Sequence, residues 1–261
     1  MPEIYDVAII GAGAMGSAAA YHLSKTKKEI LLLDRFFPPH NSGSSHGESR
    51  IIREAYFESP IYVPLVQKAY KLWDELERES GKQLFIKTGG LMLGDAGSKV
   101  FNGAERSAEQ YGIWYEALDN TAISKIFPAF KPAESTVALY EKNAGLLFPE
   151  LCIQSHLQLA EKPNMHFCFG EKVIAVAAKN NLIEIQTDKS IYDAEKVIVS
   201  AGAWLGKLFS ELQLPLQVAR QVLLWFDFKT TNPEIFSPQR MPVYIWEYEK
   251  NKMFYGFPAL N

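Results

Sequence analysis

The run Tyr5-Asp6-Val7-Ala8-Ile9-Ile10-Gly11-Ala12-Gly13-Ala14-Met15-Gly16 decides the fold. Its first half is an almost unbroken apolar stretch of strand length, as expected for a strand covered on both faces in a parallel sheet. Gly11 allows a tight turn out of that strand, Gly13 lets a pyrophosphate approach the backbone, and Gly16 permits close packing of a helix on the strand. Residues 17–24 (SAAAYHLS) are Ala-rich and helical in composition. Such a helix start offers free N–H groups and a positive dipole end to phosphates. A second apolar run, Glu29 to Leu33, ends at Asp34, 18 residues after Gly16. A carboxylate there accepts bonds from ribose hydroxyls and disfavours a 2′-phosphate. Strand, glycine turn, helix, strand and acid within about 30 residues predict a dinucleotide-binding unit. This unit alone leaves FAD and NAD both open.

No helix pattern follows Asp34. Residues 37–56 instead read FPPHNSGSSHGESRIIREAY, a loop crowded with small hydrogen-bonding groups. Such a loop can lie along a polar cofactor, its N–H and hydroxyl groups meeting phosphate or ring acceptors. Arg50 and Arg53 flank Ile51 and Ile52, which predicts a part-buried run with inward cations. Buried guanidinium groups require anionic partners. A substrate carboxylate, an electron-rich cofactor, or the nearby acids Glu48 and Glu54 would each serve.

Several motifs together resemble the sarcosine-oxidase and N-methyltryptophan-oxidase family of the D-amino-acid-oxidase flavoproteins. They are the glycine turn, Asp34, Pro38-Pro39-His40 and, above all, Ser45-His46-Gly47-Glu48-Ser49-Arg50-Ile51-Ile52-Arg53 with Ala55-Tyr56. The likeness continues in collinear order through Lys87-Thr88-Gly89, Gly145-Leu146-Leu147-Phe148, Val199 to Trp204, Arg220-Gln221-Val222 and Tyr255-Gly256-Phe257-Pro258. The resemblance implies FAD as cofactor. It implies cofactor contacts from Gly11, Gly13, Ala14, Met15 and Gly16, and from Asp34 and Arg35 at the second strand. Further contacts are implied at His40, Gly43, Ser44, Ser45 and Arg50, at Val173 beside the adenine, and at Gly202. The catalytic set it implies is Arg53 and Tyr255 on the substrate carboxylate, Arg50 beside the flavin, and His46 near the ring. Glu54 departs from the histidine expected between Arg53 and Ala55, and Ser45 stands where a second histidine is common.

The implied reaction oxidises a secondary amine. An N-methyl amino acid such as sarcosine loses hydride equivalents from its methyl carbon, the imine hydrolyses to formaldehyde and the primary amino acid, and oxygen becomes hydrogen peroxide. N-methyltryptophan, glycine, pipecolate and D-amino acids are the alternative substrates. The rival readings are an NAD-dependent dehydrogenase on the same glycine motif, and an inactive truncated fragment.

The remaining chain reads as two interleaved domains, a fold of α/β and α+β type. A Rossmann-like FAD-binding domain is expected over 1–84 and 145–214, and a mixed-sheet substrate domain over 85–144 and 215–261. Val66, Ala69, Tyr70, Trp73 and Leu76 form an apolar stripe on a helix over 61–80, with Gly81 as its stop. Helices are also expected near 98–111 and from Pro149 to Ala160, the latter carrying His156 as a half-buried helical residue. Asn180-Asn181 predicts a hairpin turn, and a helix is expected from about Trp204. Long strands are expected at Gln217–Phe228, and at Val243–Glu249 with Phe254–Phe257.

With 48% hydrophobic residues, 22% charged and a net charge of −3, the chain carries no basic footprint for nucleic acid and no polybasic membrane patch. Cys152 and Cys168 make no disulfide framework, no metal-ligand spacing occurs, and both thiols are expected to be buried and free. A cytoplasmic monomer using a small amine and molecular oxygen is the resulting expectation, with no membrane association. The ending Phe257-Pro258-Ala259-Leu260-Asn261 follows directly on a strand. Under the resemblance, the chain reads as the N-terminal two-thirds of such a flavoprotein. The remaining third would carry the flavin-linking cysteine and two functional lysines, and Cys152 and Cys168 lie in the wrong region to supply that cysteine.

Overall fold

The computed structural model describes residues 4–260 and divides into two compact units. The first comprises 1–48, 79–82 and 149–224, and the second 49–78, 83–148 and 225–261. Asn261 lies outside the described residues.

The first unit is built on the strand Ile4–Ile10, which pairs in parallel with Ile30–Asp34 on one side and Ile191–Val199 on the other. Met165–Phe169 extends the sheet in parallel beyond Ile30–Asp34. Val173–Lys179 and Leu182–Thr187 complete six strands as an antiparallel ribbon. The ribbon turns at Asn180 and Asn181, both at positive φ (50° and 66°), the backbone that a two-residue turn of matching twist needs. Helices Ala14–Ser24 and Pro149–Ala160 cover one face, where Val7, Ile9, Ala20, Ile30, Leu32, Ile153 and Leu157 share a buried cluster. The other face buries Tyr5, Ala8, Ile10, Leu31 and Leu33 against Ile185 and Ala194. Burial on both faces explains the unbroken apolar runs of the first two strands.

The second unit holds a five-stranded sheet in the order Lys252–Gly256, Val243–Glu249, Gly90–Asp95, Thr136–Glu141, Glu116–Asp119. Val243–Glu249 lies parallel to Gly90–Asp95, and the other pairs are antiparallel. A small antiparallel sheet places Gly145–Leu147 between Arg50–Ile52 and Phe85–Lys87. Helix Val63–Ser80 ends at Gly81 (φ +66°), as its stop signal requires, with Val66 and Leu76 buried.

Three differences from the sequence expectations stand out. Residues 49–78 belong to the second unit rather than continuing with 1–48. The pairing of Arg50–Ile52 with Gly145–Leu147, and the burial of Ala55, Phe57 and Val63 with Phe101, Leu139 and Ile245, bind them there. Gln217–Phe228, expected as a strand, is extended but joins no ladder among the described residues. Its alternating apolar residues stand in solvent, Val222 at 72% and Phe226 at 79% exposure. Beta propensity registers the pattern, but a strand exists only with a neighbour to bond. The helix expected near Trp204 amounts to a 3-10 turn and the short Leu205–Leu208.

Candidate active site

In the first unit the glycine turn forms one wall of a cavity of about 540 Å³. Gly11 sits at φ +99°, where a Cβ would strike the Ser200 carbonyl at 2.5 Å, so the turn both needs and shelters glycine. A Cβ at Gly16 would overlap the Gly11 carbonyl oxygen, whereas one at Gly13 would meet only Ser45 Oγ at 3.6 Å. Helix Ala14–Ser24 starts at Gly13 with no side-chain cap and no acid in its first turn. No acid of the helix's own first turn faces its positive end, the arrangement that suits phosphate.

Asp34 is buried at the end of the second strand. Its Oδ2 accepts the Ala12 N–H at 2.7 Å and its Oδ1 accepts the Phe36 N–H at 2.8 Å. His40 Nε2 lies 3.6 Å from the same Oδ1. His40 Nδ1 accepts the Ser42 N–H at 3.2 Å, so the ring proton belongs on Nε2 and points toward the carboxylate. Phe36 packs between His40 (4.7 Å) and Trp204 (5.8 Å), an aromatic wall to the cavity. Ser45 Oγ accepts the Ala14 N–H at 3.2 Å, which ties the serine-rich loop to the helix start. Buried Glu171, also on the wall, accepts hydrogen bonds from the Thr187 hydroxyl at 2.6 Å and the Tyr192 hydroxyl at 3.0 Å.

Most of the residues expected to contact a cofactor thus line one cavity. Gly11, Gly13, Ala14 and Met15 form its turn, Asp34, Arg35 and His40 its second-strand side, and Gly43, Ser44 and Ser45 its loop. Val173 and Gly202 also line it. Gly16 and Arg50 do not line it: Gly16 is buried beneath the turn, and Arg50 lies in the second unit. His46, also in the first unit, is half-buried at the end of the loop. Glu150 Oε1 holds the two peptides after it, accepting the Gly47 N–H at 2.7 Å and the Glu48 N–H at 3.3 Å.

In the second unit Arg53 is only 6% exposed. Its Nη2 donates to Glu58 Oε2 at 2.6 Å, and the guanidinium lies over the rings of Tyr56 (4.2 Å) and Phe57 (5.1 Å). Its Nε is buried without a hydrogen-bond partner. The partner acid is therefore Glu58, not Glu48 or Glu54 as the sequence suggested. The Glu54 carboxylate is taken by amides, accepting from Asn143 Nδ2 at 2.9 Å and Gln67 Nε2 at 3.2 Å. Arg50 Nη1 donates to the Ser49 carbonyl at 2.7 Å. Tyr255 is 44% exposed on the Lys252–Gly256 strand, edge-on to Phe257, and is not among the partners of Arg53. Glu58 and Glu150 escaped the sequence reading. Glu58 is a loop acid five residues from its partner, and Glu150 reaches 103 residues back to Gly47.

His156 is more deeply buried than expected, at 5% exposure, and burial lowers its pKa to about 4. It packs on Tyr21 and Ser17 at the helix pair rather than on the cavity. Cys152 is buried and Cys168 half-buried, and neither is in a disulfide among the described residues. No helix among the described residues is long and apolar enough to cross a membrane.

Parallel strands whose first ends in a glycine turn and whose second ends in a buried acid have the pattern of a dinucleotide-binding protein, here joined to a mixed-sheet unit. The chain belongs to the family of FAD-dependent oxidoreductases, which it matches over residues 6–260. It is 40% identical to a monomeric sarcosine oxidase of Streptomyces avermitilis over 262 residues, covering 100% of this chain and 68% of that one. It is 36% identical over 257 residues to an N-methyl-L-tryptophan oxidase of Salmonella typhimurium, covering 98% and 68%. The chain thus spans about two thirds of the length of these relatives. Among solved structures, NikD, an unusual amino acid oxidase essential for nikkomycin biosynthesis, superposes with a TM-score of 0.79 at 21% identity, covering 98% of this chain and 66% of its own. The glycine oxidase of Geobacillus kaustophilus gives 0.68 at 20% identity, covering 81% and 59%. These two show a shared fold. The family match sets aside the NAD-dependent reading.

Proposed function

We propose that this protein binds FAD in the first-unit cavity and oxidises a small secondary amine bearing a carboxylate, an N-methyl amino acid such as sarcosine. The observation that carries the substrate class is the half-used fork of Arg53. A carboxylate lying side-on to a guanidinium takes one N–H from Nε and one from Nη2. Here Nη2 is held by an acid that is itself 42% exposed, and Nε is buried and unfilled. A substrate carboxylate that displaces Glu58 takes both arms of the fork.

The cavity residues fit FAD on chemical grounds. The glycine turn and helix start receive the pyrophosphate, Asp34 the ribose hydroxyls, and the aromatic wall of Phe36, His40 and Trp204 an extended planar ligand. When bound, FAD supplies acceptance of a hydride equivalent from the N-methyl carbon and return of the electrons to oxygen. The chain's own residues do the rest. Arg53 fixes the carboxylate and so orients the amine, which reacts through its unprotonated lone pair. The family resemblance assigns Arg50 to the flavin and His46 and Tyr255 to the substrate, and these roles are part of the proposal. Water then hydrolyses the imine to formaldehyde and the primary amino acid. A cytoplasmic monomer without nucleic-acid or membrane partners remains part of this proposal.

A peroxide-coupled screen of the FAD-reconstituted protein against sarcosine, N-methyltryptophan, pipecolate, glycine and D-amino acids tests the reading. Turnover is expected to be highest with an N-methyl amino acid. A preference for glycine or a D-amino acid, with no N-methyl substrate turned over, overturns the substrate assignment.

A further inference from the structure

Glu141 ends the strand Thr136–Glu141, directly opposite Gly90, and is wholly buried. Its two carboxylate oxygens are spent on consecutive peptides. Oε1 accepts the Glu54 N–H at 2.7 Å and Oε2 accepts the Ala55 N–H at 2.8 Å. These are the two peptides that follow Arg53, from a residue more than eighty positions away in sequence. We infer that Glu141 is a positioning residue for the substrate-carboxylate clamp: it fixes the backbone that carries Arg53, so that the guanidinium keeps its place when Glu58 gives way to a substrate. This inference rests on the proposed role of Arg53.

Three observations support it beyond the two bonds. Burying a carboxyl group is costly, and here each of its two oxygens is matched by a peptide N–H, which a carboxamide could do with only one. Burial raises the Glu141 pKa, the two peptide hydrogen bonds lower it, the neighbouring Glu54 charge raises it, and the charge of Arg53 lowers it. The tether is also reinforced locally. Ser107 Oγ donates to the Tyr56 carbonyl at 2.6 Å, and the Glu54 side chain is itself held by Asn143 and Gln67. The segment 53–56 therefore has a fixed backbone on which only the Arg53–Glu58 pair is exchangeable. Gln at position 141 keeps the size but turns one acceptor into an NH₂ donor facing a peptide N–H.

The test compares Glu141→Gln with wild type and with Arg53→Met, all FAD-reconstituted, on two substrates: sarcosine, and dimethylamine as a secondary amine without a carboxylate. The expected result is a KM for sarcosine raised by about tenfold or more, equivalent to about 1.4 kcal/mol, with a much smaller change in kcat and little change in kcat/KM for dimethylamine. Hydrogen exchange at the Glu54 and Ala55 amides is expected to be as slow as global opening in the wild type and to accelerate in the variant. A lowered Tm with an unchanged KM for sarcosine means a purely structural role and overturns the inference. If Arg53→Met also leaves the sarcosine KM unchanged, the clamp reading itself has failed, and this inference falls with it. Should the Gln variant not fold, Glu141→Asp, one methylene shorter but still charged, is read in the same way. Fast wild-type exchange at both amides overturns the inference without any variant.

Discussion

Arg53 and Glu58 form an ion pair at 2.6 Å in which the arginine is buried and the acid is 42% exposed. The asymmetry makes the pair exchangeable. The arginine must always have an anion, whereas the acid loses little by turning to water. Glu58→Gln removes the competing charge. Its expected cost to the free protein is about 3 kcal/mol, because Arg53 is left buried without its anion. The rise in Tm on adding acetate should be larger in Glu58→Gln than in wild type. Equal rises contradict exchange at Arg53.

Arg53→Met removes the clamp itself. Carboxylate-substrate binding is expected to weaken by about 2–4 kcal/mol, the usual loss when one partner of a desolvated charge pair is truncated. Steady-state kinetics with sarcosine reads this directly. An unchanged KM takes Arg53 out of the substrate site.

Gly13 and Gly16 separate ligand binding from folding. A methyl at Gly16 collides with the Gly11 carbonyl, a backbone atom that cannot yield, so Gly16→Ala is expected to cost about 1–3 kcal/mol of stability. Gly13 has ordinary negative φ and only Ser45 Oγ near its would-be methyl, yet it lines the cavity. Gly13→Ala should therefore keep the wild-type Tm while weakening FAD by about tenfold, about 1.4 kcal/mol. Thermal melts and flavin-fluorescence titrations distinguish the two. Full FAD affinity in a folded Gly13→Ala protein argues against the pyrophosphate lying at this turn.

The glycine turn was legible because its chemistry is local: three glycines, a strand before and a helix after occupy consecutive positions. Asn180-Asn181 was legible for the same reason, since two residues tolerant of positive φ suffice for the turn. Asp34 was found by spacing, though its bond to Ala12 was not. What the sequence withheld is long-range. Glu141 and Glu150 act on peptides far away in the chain, and an acid at a strand end or in a helix's first turn looks the same whether it faces solvent or a backbone. Gln217–Phe228 failed in the opposite sense. Its alternation is that of a strand, but pairing is a property of the neighbour, and no neighbour appears among the described residues.

His156 gives the fold a pH dependence. Burial holds its pKa at about 4 in the folded chain, below the ordinary 6.5. The unfolded chain then binds the proton more readily, so stability is fully present above about pH 6.5 and falls away as the pH drops toward 4. Between about pH 7 and pH 5 the loss from this group is expected to be about 2 kcal/mol. Melts across that range should show a steep decline in wild type and a shallower one in His156→Gln. Parallel declines contradict a neutral buried imidazole.

Anaerobic mixing of the FAD-reconstituted protein with sarcosine tests most directly whether this cavity and this clamp make an amine oxidase. Bleaching of the visible flavin absorbance is expected, then its recovery on admitting air, with formaldehyde and hydrogen peroxide formed in equal amounts. A tightly bound flavin that no N-methyl amino acid bleaches would contradict the assignment.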